Sequence, residues 1–269
     1  AEDGIRVCCL SRGLGDVYNS RLENLSVRDC RAFHARWYAP SNATVVVAGA
    51  FDELALLRAI RRNYQDLRST RVRRRQATEP AGQRAERSVD LTLPASAPRV
   101  FVGYRGPGYR SREWIVLRVL SEILFGGRGS RAYRSMVLET ELATSAWADL
   151  PPFAEACLFE IGAIGSAKSS PAALLKAIDA HVAEVVDRPC TVEEVERACA
   201  RIELSLLTSL ETVGGRAEQV GFHSLVSRDP TGALERAEAY RSVTPAEVQR
   251  VAKSVLVPRR RTVVRVTPR

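Results

Sequence analysis

The chain has 269 residues, an apolar share of 45%, a net charge of +9 at neutral pH and six cysteines. It is long enough to bury the core of one large domain or two modest ones. No apolar run approaches the roughly 18 residues of a membrane-spanning helix, and the opening AEDGIRVCCLSRG lacks the order of charged, apolar and small residues that marks a signal peptide.

The positive charge is almost wholly arginine, since Lys168, Lys176 and Lys253 are the only lysines. Much of it sits in RSTRVRRRQATEPAGQRAERS, residues 68–88, which has no aromatic residue and contains Pro80 and Gly82. That composition predicts a solvated linker rather than a base-reading surface, so nucleic acid is not an expected partner, although an acidic protein or lipid surface is compatible with it. Cys8, Cys9, Cys30, Cys157, Cys190 and Cys199 form no C-x-x-C pair, which predicts thiols without a disulfide framework.

In chain order, SVRDCRAFHARWYAPSNATVVV opens with Ser26 as a helix cap, runs a helix to the break at Pro40, and predicts a strand over 43–50. DELALLRAIRRNYQDL spaces Leu54, Leu57, Ile60 and Tyr64 as a helix does. After the basic linker, the stretch from about Val89 reads as a pair of strands, with RVFVGYRGPG the stronger. A helix over SREWIVLRVLSEILFGG ends at glycines, SRAYRSMVLETEL follows as helix, and ATSAWADL and ACLFEIGAIGS read as strands. SPAALLKAIDAHVAEVVDRPC predicts an amphipathic helix. TVEEVERACARIELSLLTSLETVGGRAEQVGFHSLV predicts a second long one, opened by Thr191 with Glu194 three residues on.

The last unit repeats the first. TPAEVQRVAKSVLVPRRRTVVRV, from residue 244, overlays residues 26–47 without a gap, pairing Ser26 with Thr244, Asp29 with Glu247, Pro40 with Pro258 and Val45-Val46 with Val263-Val264. If the second copy begins near Val89, the first begins roughly 130 residues before Ala1. The expected organisation is therefore residues 1–67 as the C-terminal remnant of a first domain, 68–88 as linker and 89–269 as a complete second domain. Strands followed by helices on one face predict an α+β class: a two-layer sandwich of mainly antiparallel sheet, tandemly repeated, with the first copy truncated.

The order RAFHARWYAPSNATVVVAGAFD, FVGYRGPG, LSEILFGGRGSRAYRSMVLETELATSAWA and VEEVERACARIELSLL resembles the pitrilysin-like zinc metallopeptidases, in their bacterial and mitochondrial-processing-peptidase branch. The likeness runs from about Ser26 to Pro268. It implies two related α+β domains closing around a peptide chamber, with zinc held by H-x-x-E-H in the first. Two histidines four apart share a helical face and reach one tetrahedral metal, while the Glu between them activates water.

That motif is absent from this sequence. His34, His181 and His223 are scattered, and HVAEV at 181–185 offers His181 and Glu184 but Val185 where a second His would stand. No metal ligand and no catalytic residue is therefore expected in this chain, which alone should cleave nothing; zinc is expected in a missing or partner half. The resemblance also implies an Arg and a Tyr, seven apart, that hold substrate backbone; in register these places are Val137 and Thr144, and neither can do that work. Gly126, Gly127, Gly129, Ser130, Arg131 and Tyr133 are the candidate substrate contacts, against the alternative that the glycines only end a helix and turn the chain. FGGRGS follows a helix and lacks the G-K-[ST] ending of a phosphate loop, and no serine stands in a G-x-S-x-G elbow.

The function expected is a non-catalytic C-terminal portion of a peptidase clam, giving chamber wall and peptide or protein contacts to a zinc-bearing half or homologous subunit, as a heterodimer. The alternative is a structural, non-peptidase subunit of a larger complex.

Overall fold

A computed structural model of the chain describes residues 25–67, 72 and 82–269. Most of the basic run, together with Cys8 and Cys9, lies outside the described residues. Cys30, Cys157, Cys190 and Cys199 are free thiols, the last three buried.

Five strands form one sheet in the order β1-β5-β2-β4-β3, where β1 is Arg87–Leu93, β2 Arg99–Gly106, β3 Ala143–Asp149, β4 Cys157–Gly165 and β5 Arg261–Pro268. Only β1 and β5 run parallel; β5 with β2, β2 with β4 and β4 with β3 are antiparallel. The α+β class with a mainly antiparallel sheet is thus the observed one. The expected pair of strands after Val89 is not a pair in space, because the C-terminal strand inserts between β1 and β2: Val264 lies opposite Val89 on one side and Phe101 on the other. A β-branched strand with apolar residues on both faces suits a central position.

One face of the sheet carries Val100, Val102, Tyr104, Phe159, Ile161 and Val263 into the main core. Helix α3, Arg112–Phe125, lies in the middle of that layer and is apolar on nearly every side, from Trp114 to Phe125. Around it pack α4 (Pro171–Asp187), α5 (Val192–Ser209) and α8 (Pro245–Val255), through Ile178, Val185, Val195, Ile202, Val248 and Val251. On the opposite face Trp147 lies over Gly162, where an added Cβ would meet the indole at 2.3 Å, and Phe101 meets Trp147 edge-on at 6.0 Å.

The long helix expected from Thr191 to Val226 is two. It stops at Ser209 and restarts as α6, Val213–Val226, with Thr212 accepting from the Gly215 N–H. The glycine is needed at this turn, since a Cβ on Gly215 would fall 1.8 Å from the Ser209 carbonyl oxygen. A further helix, α7 (Gly232–Arg241), was not legible as a separate element.

The repeat is present in the backbone. Helix α1 spans Val27–Trp37 and α8 spans Pro245–Val255, both ends offset by 218 residues. Both open on a capping box, Ser26 with Asp29 and Thr244 with Glu247, and both lead into a 3-10 turn, Pro40–Asn42 and Pro258–Arg260. Beyond those turns the two copies part. Arg261–Pro268 is a central strand, whereas 43–50, expected as a strand, has no ladder partner among the described residues and bends at Gly49, whose φ is +137°. It runs beside α6, where a Cβ on Gly221 would stand 3.3 Å from Val46. Phe33 of α1 is 59% exposed, while Val251, its counterpart in α8, is fully buried. Helix α2, Glu53–Tyr64, likewise has Leu54, Leu57 and Tyr64 exposed.

The approach to β1 is tied to the C-terminal strand. Arg261, itself buried, forms ion pairs with Glu86 at 2.7 Å and with Asp179 of α4, and Gln83 donates to the Arg261 carbonyl.

Candidate functional site

The six candidate residues sit on one turn between α3 and a π-helix, Tyr133–Glu139. Helix α3 ends at Gly126, whose N–H donates to the Glu122 carbonyl. Gly127 then takes φ +72°, the left-handed region that favours glycine, with the guanidinium of Arg201 2.7 Å from where a Cβ would lie. Ser130 is buried, and its hydroxyl donates to the Gly127 carbonyl at 2.8 Å, closing the turn.

Arg131 turns inward. Its Nε and Nη2 hold the two carboxylate oxygens of Glu194 at 2.7 Å each, and its Nη1 lies 3.2 Å from Glu184. The guanidinium pushes the Glu194 carboxyl below its ordinary range, chiefly by that hydrogen bond, while Glu194 in turn raises the already high pKa of Arg131. Glu194 also accepts from the Thr191 N–H, so one side chain caps α5 and pins the loop to it. Under the turn lies a cavity of about 30 Å³, lined by Glu122, Gly126, Gly129, Ser130, Arg197 and Arg201, which suits a single water.

Glu122 is the centre of this arrangement, and sequence reasoning did not single it out. It is buried and shared by Arg201 at 2.7 Å and Arg118 at 3.3 Å. The Arg118–Glu122 spacing of four is a local signal; the Arg201 contact, 79 residues away, has none. The candidates therefore divide by role. Gly126, Gly127, Ser130 and Arg131 build the turn, whereas Gly129 faces open space and Tyr133 is half-buried at the start of the π-helix. The π-helix itself closes with the Thr140 N–H and hydroxyl both donating to the Ser135 carbonyl. A π-helix of this length is rare and tends to stand beside functional surfaces. Val137 lies on it, packed against the core, and Thr144 sits at a bulge in β3 with its hydroxyl on the Ile164 carbonyl.

Among the described residues no three of His, Cys, Asp and Glu come together as a metal site. His34 is exposed and stacked on Tyr38 at 4.7 Å. His181 is half-buried on α4 with its pKa lowered by burial, Glu184 is engaged by Arg131, and Val185 points into the core where a second ligand would have to stand.

This is a helix-backed, mainly antiparallel sheet whose turn after α3 is held by the Arg131–Glu194 and Glu122–Arg201 pairs. The family model described as peptidase M16 inactive domain matches residues 24–202, two thirds of the sequence, and the chain belongs to that family. It is similar to an uncharacterized zinc protease of Streptomyces coelicolor, 25% identical over 231 residues that cover 84% of this chain and 50% of that protein. The fold is that of a protease from Helicobacter pylori (TM-score 0.85, 20% identity, 93% of this chain and 60% of that one) and of a peptidase M16 inactive domain from Pseudomonas fluorescens (TM-score 0.79, 17% identity, 91% and 58%). The chain spans about half the length of the curated relatives it matches.

Proposed function

We propose that this chain is the non-catalytic C-terminal portion of a zinc peptidase clam, completed by a zinc-bearing half. The observation that carries this reading is the unequal burial of the two repeat copies. In the second copy α8 and β5 are covered by α3, α4, β1 and β2. In the first copy Phe33 and Val45, the counterparts of the buried Val251 and Val263, are 59% and 69% exposed. By the repeat, the covering polypeptide supplies counterparts of β1 and β2 on either side of residues 43–50, and of α3 over α1. Residues 1–67 then belong to the first domain of the assembly, 89–269 form the second, and 68–88 join them.

In that assembly the partner's H-x-x-E-H holds zinc and does the hydrolysis, and this chain lines the chamber. Gly129 and Tyr133, which make none of the hydrogen bonds or ion pairs that close the turn, are the candidate peptide contacts, while Arg131, Ser130, Gly126 and Gly127 keep the turn in shape. The experiment is purification of the tagged chain from its own cells. It should bring down a polypeptide containing H-x-x-E-H, with about one zinc per pair and peptide cleavage by the pair only. A chain that carries stoichiometric zinc and cleaves peptide without a partner would defeat the proposal, as would a stable assembly with no such polypeptide in it.

A further inference from the structure

A second cavity, of about 220 Å³, opens between α3, α5, α6 and α7, away from the glycine turn. Arg236 of α7 forms part of its wall. The guanidinium carbon stands 3.8 Å above the Tyr109 ring and 5.5 Å from that of Trp114, and Nη2 donates to the Tyr109 carbonyl at 3.0 Å. Nη1 is buried with no hydrogen-bond partner, and no carboxylate pairs with Arg236 among the described residues. Arg236 is half-buried with its Nη1 fully covered, and a covered guanidinium N–H without an acceptor is costly, a cost that stacking on two aromatic rings offsets only in part.

The rest of the lining offers donors and no acid. Arg118, Ser205, Ser209, Gln219 and His223 face the space, with no Asp or Glu among the lining residues. Arg118, the other arginine of the lining, is already paired with Glu122 at 3.3 Å. Burial and the charge of Arg236 push the His223 imidazole down toward its neutral form, against Asp229, whose carboxylate is occupied by the Thr231 N–H and hydroxyl. Ile202 and Leu206 of α5 and the ring of Tyr109 make the remaining wall apolar.

We propose that this cavity binds a carboxylate carried on a short aliphatic group, with Arg236 as its anchor. The single unpaired guanidinium edge matches one negative charge, and the aliphatic wall accepts a few carbons; a dianionic phosphate would need a second unpaired cation. The same chemistry is offered by a free small acid and by the chain-terminal carboxylate of a peptide.

Calorimetric titration of the full chain tests this with isobutyrate, inorganic phosphate, trialanine and trialanine amide. One saturable site for isobutyrate or trialanine is expected, weakened more than about tenfold in Arg236→Met by loss of the charge-assisted bond. Ser205→Trp, an exposed wall position whose indole would fill the space, should abolish binding with unfolding temperature unchanged, and it decides the matter if the arginine variant does not fold. Trialanine binding without trialanine amide binding makes a peptide end the source, and isobutyrate alone makes it a free acid. Saturation by neither carboxylate, preference for phosphate, or binding that survives the folded variants would overturn the proposal.

Discussion

Val45 and Val263 hold equivalent places in two copies of one helix-and-strand unit, yet Val45 is 69% exposed and Val263 is fully buried. The same backbone instructions, capping box, helix and 3-10 turn, are followed in both, so the difference beyond the turn is one of tertiary cover. Burying a valine side chain contributes roughly 1.5–3 kcal/mol, which the first copy forgoes. Val263→Ala should therefore destabilise the isolated chain by about 2 kcal/mol, and Val45→Ala by less than about 0.5. Urea unfolding followed by tryptophan fluorescence measures both. Equal losses would mean that Val45 is already covered.

The glycine turn predicts a contrast between neighbours. Gly127→Ala places a Cβ against the Arg201 guanidinium in a left-handed residue and should cost about 1–2 kcal/mol. Gly129→Ala meets open space and should stay within about 0.5 kcal/mol. Thermal melts of the two variants check this, and a large loss at Gly129 would give that glycine a structural duty it does not have here.

Much of this was legible in local sequence. Ser26, Thr191 and Thr244 each announced a helix through a capping residue with Asp or Glu three positions on, and each helix starts where that chemistry puts it. The insertion of β5 between β1 and β2 was not legible, because Val264 finds Val89 and Phe101 across more than 160 residues and no local pattern encodes that pairing. The split at Ser209 was hidden because TSLETVGG keeps enough apolar periodicity to read as helix, while the tight turn depends on Gly215 meeting the Ser209 carbonyl. At the candidate site the glycines were visible, but the engagement of Arg131 by Glu194, 63 residues away, was not.

Glu194 gives stability a pH dependence with a definite sign. Its folded pKa is depressed, first by the Arg131 hydrogen bond, so the stability it contributes is present above its unfolded value of about 4.3 and is lost as pH falls through the lower folded value. Arg131→Met should therefore cost more near pH 6 than near pH 3. Melting temperatures of the two proteins across that range test the sign; a cost independent of pH would contradict it.

Arg261 clamps the C-terminal strand to Glu86 and Asp179. Replacing it with Met leaves two carboxylates and the Tyr104 hydroxyl without their cation. Since both carboxylates are more than a third exposed, solvent recovers part of the loss, and about 2–3 kcal/mol is expected rather than the full range for a buried pair. Denaturant titration of Arg261→Met measures it, and a variant as stable as the parent would show that the clamp holds nothing.

The most direct test is amide hydrogen exchange at Val45, Val46 and Val47, read in the verified monomer and again with the zinc-bearing polypeptide bound. Fast exchange in the monomer, turning to strong protection in the complex while Val263 and Val264 stay protected throughout, is the expected result, since the second copy already has both of its strand neighbours. Strong protection at Val45 to Val47 in the monomer would contradict it, because the first unit would then be complete without a partner.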